Sequence, residues 1–199
     1  MAGGTLGVIL AGGRSSRFGA DKALALLQGK PLAAHVAERL GPQVDQMALN
    51  TNKDAAAYAV LGLPVFADAN GGYEGPLAGA LAALAYARER GFEELITAPC
   101  DVPALCAGLV SRLRAARGDA DCVFAEVNGK MNPVFALYRA GVLPSVQRAF
   151  DAGLRAPRDL PKYLPVVMAK FTAQEADAFR DIDTREEFDA YQSDFLPVR

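Results

Sequence analysis

Tryptophan is absent from this chain of 199 residues, histidine occurs once and cysteine three times. Each shortage narrows the chemistry. The one histidine, His35, cannot by itself build a metal cage, and it lies between apolar positions of a helical pattern, where packing is the simpler role. Cys100, Cys106 and Cys122 are odd in number and lack C-x-x-C spacing, so neither a disulfide framework nor a zinc site is indicated; buried thiols in a reducing compartment are expected. No apolar run reaches the roughly 20 residues that a membrane-spanning helix needs. The apolar core Leu6 to Ala11 is too short for a signal peptide, and Leu77 to Ala87 reads as a buried helix. A cytoplasmic protein without a membrane partner is therefore expected. An excess of basic charge is also missing: 21 Lys and Arg against 23 Asp and Glu give a net charge of -2, which removes the broad basic face used to grip nucleic acid.

What is present is ample apolar material. With 51% hydrophobic and 22% charged residues, the chain has enough core for one ordinary α/β domain. Short apolar runs alternate with longer helical patterns, the mark of a mostly parallel sheet covered by helices. Strands are expected at 6–11, 46–50, 63–68 and 94–101. Helices are expected within 24–40, where Pro31 suits a first turn, and at 53–61, 76–90 and 103–116. From Asp121 the texture changes: CVFAEV, the turn pair Asn128-Gly129 and PVFALY predict a hairpin, hence an antiparallel portion. A helix around 143–152, a strand at 166–171 and a terminal helix from Thr184 complete the pattern.

Ligands of open parallel sheets bind beyond the carboxyl ends of the strands. There the sequence places Gly12-Gly13-Arg14, Asn50, Asp68 and Asp101, with Asp181 and Asp183 in the late stretch RDIDT. The first loop, LAGGRSSRFGADK, matches neither GxxxxGK[ST] nor GxGxxG, which disfavours simple nucleotide hydrolysis and dinucleotide redox chemistry. It does combine bare backbone with Arg14, Arg17 and Lys22, a combination suited to phosphate. Asp101, in the turn PCDVP, suits Mg²⁺, which takes one or two protein carboxylates together with phosphate oxygens and water. It equally suits the cap of a helix beginning near Pro103.

Leu10-Ala11-Gly12-Gly13, Arg17-Phe18-Gly19 and Asp21-Lys22 resemble the LAGGxSxRMGxDK signature of nucleotidyltransferases, most closely the molybdenum cofactor guanylyltransferases. GKPL (29–32), LNTN (49–52), Asp68, GPLAG (75–79) and PCDVP (99–103) continue the likeness in register. The resemblance implies the nucleotide-diphospho-sugar transferase type of Rossmann-like, doubly wound sheet. It implies one domain over 1–199, with a nucleotide-binding half at about 1–105 and an acceptor-binding half at about 106–199. The implied activity is transfer of GMP from GTP to molybdopterin carrying its molybdenum, with release of pyrophosphate, by a monomer that hands its product to molybdoenzymes or their chaperones. The implied site has Leu10, Ala11, Gly12, Gly13, Asn50 and Asp68 on the nucleotide, Lys22 and Arg17 on its phosphates, and Asp101 on both Mg²⁺ and nucleotide. Related cytidylyltransferases usually read LAAG, so Gly12 leans the base toward guanine.

Two departures fall on the acceptor side. Asn132-Pro133 stands where the family commonly has His-Pro, and Asp181-Ile182-Asp183-Thr184 replaces Asn-x-Asn-Thr. Asparagine still donates hydrogen bonds but cannot become cationic. Asp183 is open to two roles, a second Mg²⁺ ligand or a cap for the helix that follows. The loop GGYEG (71–75) suits a cover that orders over the triphosphate and equally a passive connection. A cytidylyl or sugar-phosphate nucleotidyltransferase is the alternative enzyme, and a cofactor-delivering nucleotide binder the alternative of another class.

Overall fold

The computed structural model describes residues 3–13, 18–69 and 74–194. Within them run β1 (Thr5–Leu10), β2 (Leu26–Leu27), β3 (Lys30–Pro31), α1 (Leu32–Leu40), β4 (Gln46–Asn50), β5 (Val65–Phe66) and α2 (Pro76–Glu89). Then follow β6 (Glu94–Pro99), α3 (Leu109–Arg117), β7 (Cys122–Val127), β8 (Lys130–Arg139), α4 (Leu143–Asp151), β9 (Val166–Phe171) and α5 (Arg185–Asp194). Seven strands form one sheet in the order β5-β4-β1-β6-β8-β7-β9, with β2 and β3 a separate ribbon. All neighbours in the large sheet pair in parallel except at β8, which runs antiparallel to both β6 and β7. The strand order reverses at β1, with β4 and β5 to one side and β6 to the other, so the ligand crevice of such a sheet falls at the carboxyl ends of β1 and β6.

Side-chain alternation along the strands feeds two cores, one on each face of the sheet. Leu6, Val8, Leu95, Phe124 and Tyr138 pack under α2 and α4, while Ile9, Ile96, Val123 and Leu137 pack under α1 and α3. A third, smaller cluster joins Phe18, Leu27, Leu32, Ile182 and Phe188. It fastens the first loop of the chain to the segment before α5, a contact between residues more than 160 apart in sequence.

The antiparallel hairpin follows from its turn: Asn128 and Gly129 both have positive φ, 50° and 72°, as a two-residue turn between twisted strands requires. The same device explains a departure from expectation. Residues 24–31 do not join the helix that follows; Gln28 and Gly29, at φ 49° and 79°, turn β2 into β3, and α1 begins only at Leu32. The stretch 103–116 also differs. Residues 103–108 are turns that bury Val102 and Leu105, and α3 starts at Leu109 after Gly108. The expected strand at 63–68 shrinks to Val65–Phe66, and the expected helix at 53–61 is a 3₁₀ segment, Ala55–Leu61, closed by Gly62 at φ 63°. Among the described residues no helix is long and apolar enough to cross a membrane. Cys100 and Cys122 are buried, Cys106 is partly so, and all three are free thiols.

Candidate active site

A cleft of about 360 Å³ opens at the carboxyl ends of β1, β4 and β6. Its floor is Leu10, Gly12, Gly13 and Pro99; one wall is Asn50, Asp68 and the start of α2. Asn50 and Asn52, two residues apart and therefore on the same side of the chain, bracket Asp68. Asn50 Nδ2 donates to Asp68 Oδ1 at 3.0 Å and Asn52 Nδ2 to Asp68 Oδ2 at 2.8 Å, while the Asp68 amide donates to Asn52 Oδ1 at 2.8 Å. The loop after β5 is thus locked to the end of β4. Gly79 makes this packing fit: a Cβ there would lie 2.9 Å from Asn50 Oδ1, closer than carbon and oxygen tolerate. At Gly12 an added Cβ would lie 3.7 Å from the same oxygen, an ordinary contact.

The opposite wall comes from an irregularity in β8. Pairing with β7 jumps from Phe124↔Ala136 to Ala125↔Asn132, leaving extra residues in β8 that turn Pro133 and Val134 toward the cleft. Proline, lacking an N–H, suits such a break in the ladder. Thr97 Oγ1 donates to the Val134 carbonyl at 2.8 Å and pins the bulge to β6.

Beyond Pro99 lies a compact charged cluster. Lys22 Nζ is 2.8 Å from Asp101 Oδ2 and 2.9 Å from Asp183 Oδ1, and the Lys22 side chain is only 11% exposed. Burial works to lower the Lys22 pKa, but the two carboxylates outweigh it and hold the ammonium above its ordinary value. Burial lifts Asp101 above the usual carboxylate range, with Lys22 pulling the other way and the nearby Asp181 charge adding to the rise. Asp101 Oδ1 is buried and has no hydrogen-bond partner among the described residues. An orphaned hard oxygen of this kind fits a divalent cation. Among the described residues no three acidic, histidine or cysteine side chains converge as a metal cage. A cation here would draw its remaining ligands from phosphate and water, as Mg²⁺ commonly does.

The two roles open to Asp183 now separate. Thr184 caps α5: its Oγ1 accepts from the Glu187 amide at 3.1 Å, and Glu187 Oε2 accepts from the Thr184 and Asp183 amides at 2.9 and 2.7 Å. The capping carboxylate is Glu187, so the Asp183 side chain faces Lys22 instead. The Ile182 amide donates to the Asp101 carbonyl at 3.1 Å, tying the two aspartates' segments together. Nor does Asp101 cap a helix, because α3 starts eight residues later.

Of the residues named from the sequence, Leu10, Gly12, Gly13, Asn50 and Asp68 line the cleft, and Lys22 and Asp101 meet beside it. Ala11 is buried behind the floor; its amide donates to Asn50 O at 2.8 Å and its carbonyl faces Thr51 Oγ1 at 3.4 Å. Arg14, Ser15 and Arg17 lie outside the described residues, as do 71–73 of the loop GGYEG. His35 ties α1 to the ribbon through Leu27 O at 2.9 Å, a packing role. Sequence reasoning missed Gly79, Thr97 and the Asp183 encounter with Lys22. The only local signal for the last was Ile182, an apolar anchor between two aspartates.

Comparison with known proteins bears on this geometry. Residues 7–165 match the family model described as the MobA-like NTP transferase domain. A molybdenum cofactor guanylyltransferase of Yersinia pestis (strain Pestoides F) is 39% identical over 190 residues, covering 94% of this chain and 94% of that protein. The crystal structure of molybdopterin-guanine dinucleotide biosynthesis protein A from Archaeoglobus fulgidus is similar in fold, with a TM-score of 0.75 at 22% identity over 95% of this chain and 97% of that one. A CMP:2-keto-3-deoxy-manno-octonic acid synthetase solved with CTP shares the fold at a TM-score of 0.73 and 14% identity, covering 97% and 98%.

Proposed function

The chain belongs to the MobA-like NTP transferase family, and from that premise we propose that it transfers GMP from GTP to the terminal phosphate of molybdenum-loaded molybdopterin, releasing pyrophosphate. The observation that carries this is the trio of buried Lys22 with the partly buried Asp101 and Asp183, with an Asp101 oxygen that has no hydrogen-bond partner among the described residues, set beside a cleft of nucleotide dimensions. The cleft floor of Leu10, Gly12, Gly13 and Pro99 offers flat apolar and bare-backbone surface for a base, and the braced Asn50–Asp68 pair offers fixed polar groups for the nucleoside.

Lys22 holds a charge that shifts partners. In the structure it neutralises both aspartates; the phosphates of GTP would offer Lys22 a stronger anion and leave the carboxylates available to a divalent ion such as Mg²⁺. Asp101 and Asp183 would hold that ion, which supplies charge neutralisation of the triphosphate. The acceptor phosphate, with a second pKa near ~6, is already ionised at neutral pH, so no side chain has to remove a proton. A bond forms from an acceptor oxygen to the α-phosphorus, and the bond from that phosphorus to the bridging oxygen breaks, its electron pair leaving with pyrophosphate. Lys22, and Arg17 from the first loop, would stabilise the charge gathering on that leaving group. In this scheme the protein works in the cytoplasm as a monomer and passes its product to molybdoenzymes or their chaperones.

Pyrophosphate release tests this. GTP with molybdopterin should release it, CTP far less, and GTP alone none. Release of pyrophosphate from CTP at the same rate would make this a cytidylyltransferase, and binding of GTP without release would make it a carrier.

A further inference from the structure

We propose that Tyr58 is a positioning residue for Lys22, acting through Asp21; this rests on the reading above that Lys22 meets the triphosphate. Residues 50–53 leave the end of β4 with alternate side chains on opposite sides. Asn50 and Asn52 go to Asp68 in the cleft, whereas Thr51 and Lys53 go to a second network on the other side. There the Tyr58 hydroxyl donates to Asp21 Oδ2, and Lys53 Nζ lies 3.0 Å from Asp21 Oδ1. Asp21 Oδ1 also accepts from the Ala23 amide at 3.2 Å, capping the 3₁₀ turn Lys22–Leu24. Thr51 Oγ1 stands 3.4 Å from both the Tyr58 oxygen and the Ala11 carbonyl, joining the network to the end of β1.

The Asp21 carboxylate is therefore held by three donors, and Lys22 is the next residue along the chain. A lysine side chain has several rotamers to lose, so a reach that ends on two carboxylates depends on where its backbone is set. Tyr58 is fully buried. Burial, reinforced by Asp21, keeps its hydroxyl protonated far above the ordinary tyrosine range, so it remains a donor throughout the working pH range. It stands on the 3₁₀ segment Ala55–Leu61, well removed in sequence from the turn it steadies.

The decisive measurement is a double-mutant cycle of Tyr58→Phe and Lys22→Ala, since coupled residues give non-additive losses. Tyr58→Phe keeps the ring and removes the hydroxyl. Its kcat should fall about tenfold with KM for GTP nearly unchanged, and in the Lys22→Ala background it should cost nothing further. Asp21→Ala, which cuts the same link with the ring left in place, should show the same pattern and covers the case in which Tyr58→Phe does not fold. Asp21→Asn, whose one amide oxygen keeps the cap on Ala23 while its amide nitrogen can donate to the Tyr58 oxygen, should restore most of kcat. Equal losses in both backgrounds, or full kcat in both Tyr58→Phe and Asp21→Ala, would overturn the proposal. Should the wild-type protein release no pyrophosphate, the function fails on its own account. The cycle is then run on GTP binding by calorimetry, where losses that ignore the presence of Lys22 overturn the positioning role.

Discussion

Replacing Gly79 by alanine sets two effects of opposite sign against each other. Gly79 lies within α2, and in an unconstrained helix interior alanine would gain roughly 1 kcal/mol over glycine. Here the added methyl carbon would arrive 2.9 Å from Asn50 Oδ1 and 3.5 Å from Leu10 Cδ2. The amide has little room to retreat, because Asn50 is 1% exposed and its nitrogen is committed to Asp68. Overpacking of this kind costs about 1–3 kcal/mol. The net loss should be about 0–2 kcal/mol, a few degrees in Tm for a chain of this size. Binding should suffer more than folding, since the displaced side chain braces Asp68 in the cleft; a Kd for GTP about tenfold weaker corresponds to ~1.4 kcal/mol. Gly12→Ala is the control, because its methyl meets the same oxygen at 3.7 Å and should leave Tm unchanged while any effect appears in the choice between GTP and CTP. Calorimetric GTP titration with thermal unfolding of both variants decides the matter. A Gly79→Ala protein that is more stable and binds GTP as tightly as wild type would refute the reasoning.

Two further outcomes follow from buried charge. Lys22→Met removes the cation that occupies Asp101 and Asp183, so Mn²⁺ binding without nucleotide, followed by its paramagnetic resonance signal, should tighten tenfold or more; unchanged affinity would show that lysine and metal do not compete. At the other end of the sheet, Glu94 lies between Arg114, at 2.6 Å, and Arg117; burial resists its ionisation, but the two arginines and Thr5 prevail and hold its carboxyl below the ordinary value of 4.5. A depressed folded pKa means that this stabilisation is present above pH 4.5 and is lost as pH falls through the folded value. Glu94→Gln should therefore cost about 1.5–3 kcal/mol in denaturant unfolding at pH 7, and the gap from wild type should close in acid. A gap that does not change with pH would deny the ion pair its role.

What could be read from the sequence was whatever local chemistry decides. β1, β4, β6 and α2 follow from apolar runs and periodicity, and the β7–β8 hairpin from Asn128-Gly129. The cleft residues Gly12, Asn50 and Asp68 were legible because they follow strands, and strand ends are where such sheets bind ligands. The ribbon at 26–31 was hidden because Gln28, which takes a positive φ, carries no turn signal of its own. The late start of α3 was hidden because Val102 and Leu105 are drawn into the core, which overrides the helical spacing of 103–108. Asp183 could not be placed because its approach to Lys22 depends on Phe18, Ile182 and Phe188 finding one another across the whole chain.

The alternation at the end of β4 restricts how this chain can vary in length. Because neighbouring side chains there serve opposite sides of one backbone, insertion of a single residue directly after β4 would send Thr51 and Lys53 toward Asp68 and Asn52 toward Asp21, while Asn50 stayed in the strand. Substitutions at these four positions can be compensated one at a time; a shift in spacing cannot. Gaps in alignments of this family should accordingly be rare at 50–53 and more frequent in the nearby exposed turn at Gly62, and libraries built on this scaffold should vary loop length there.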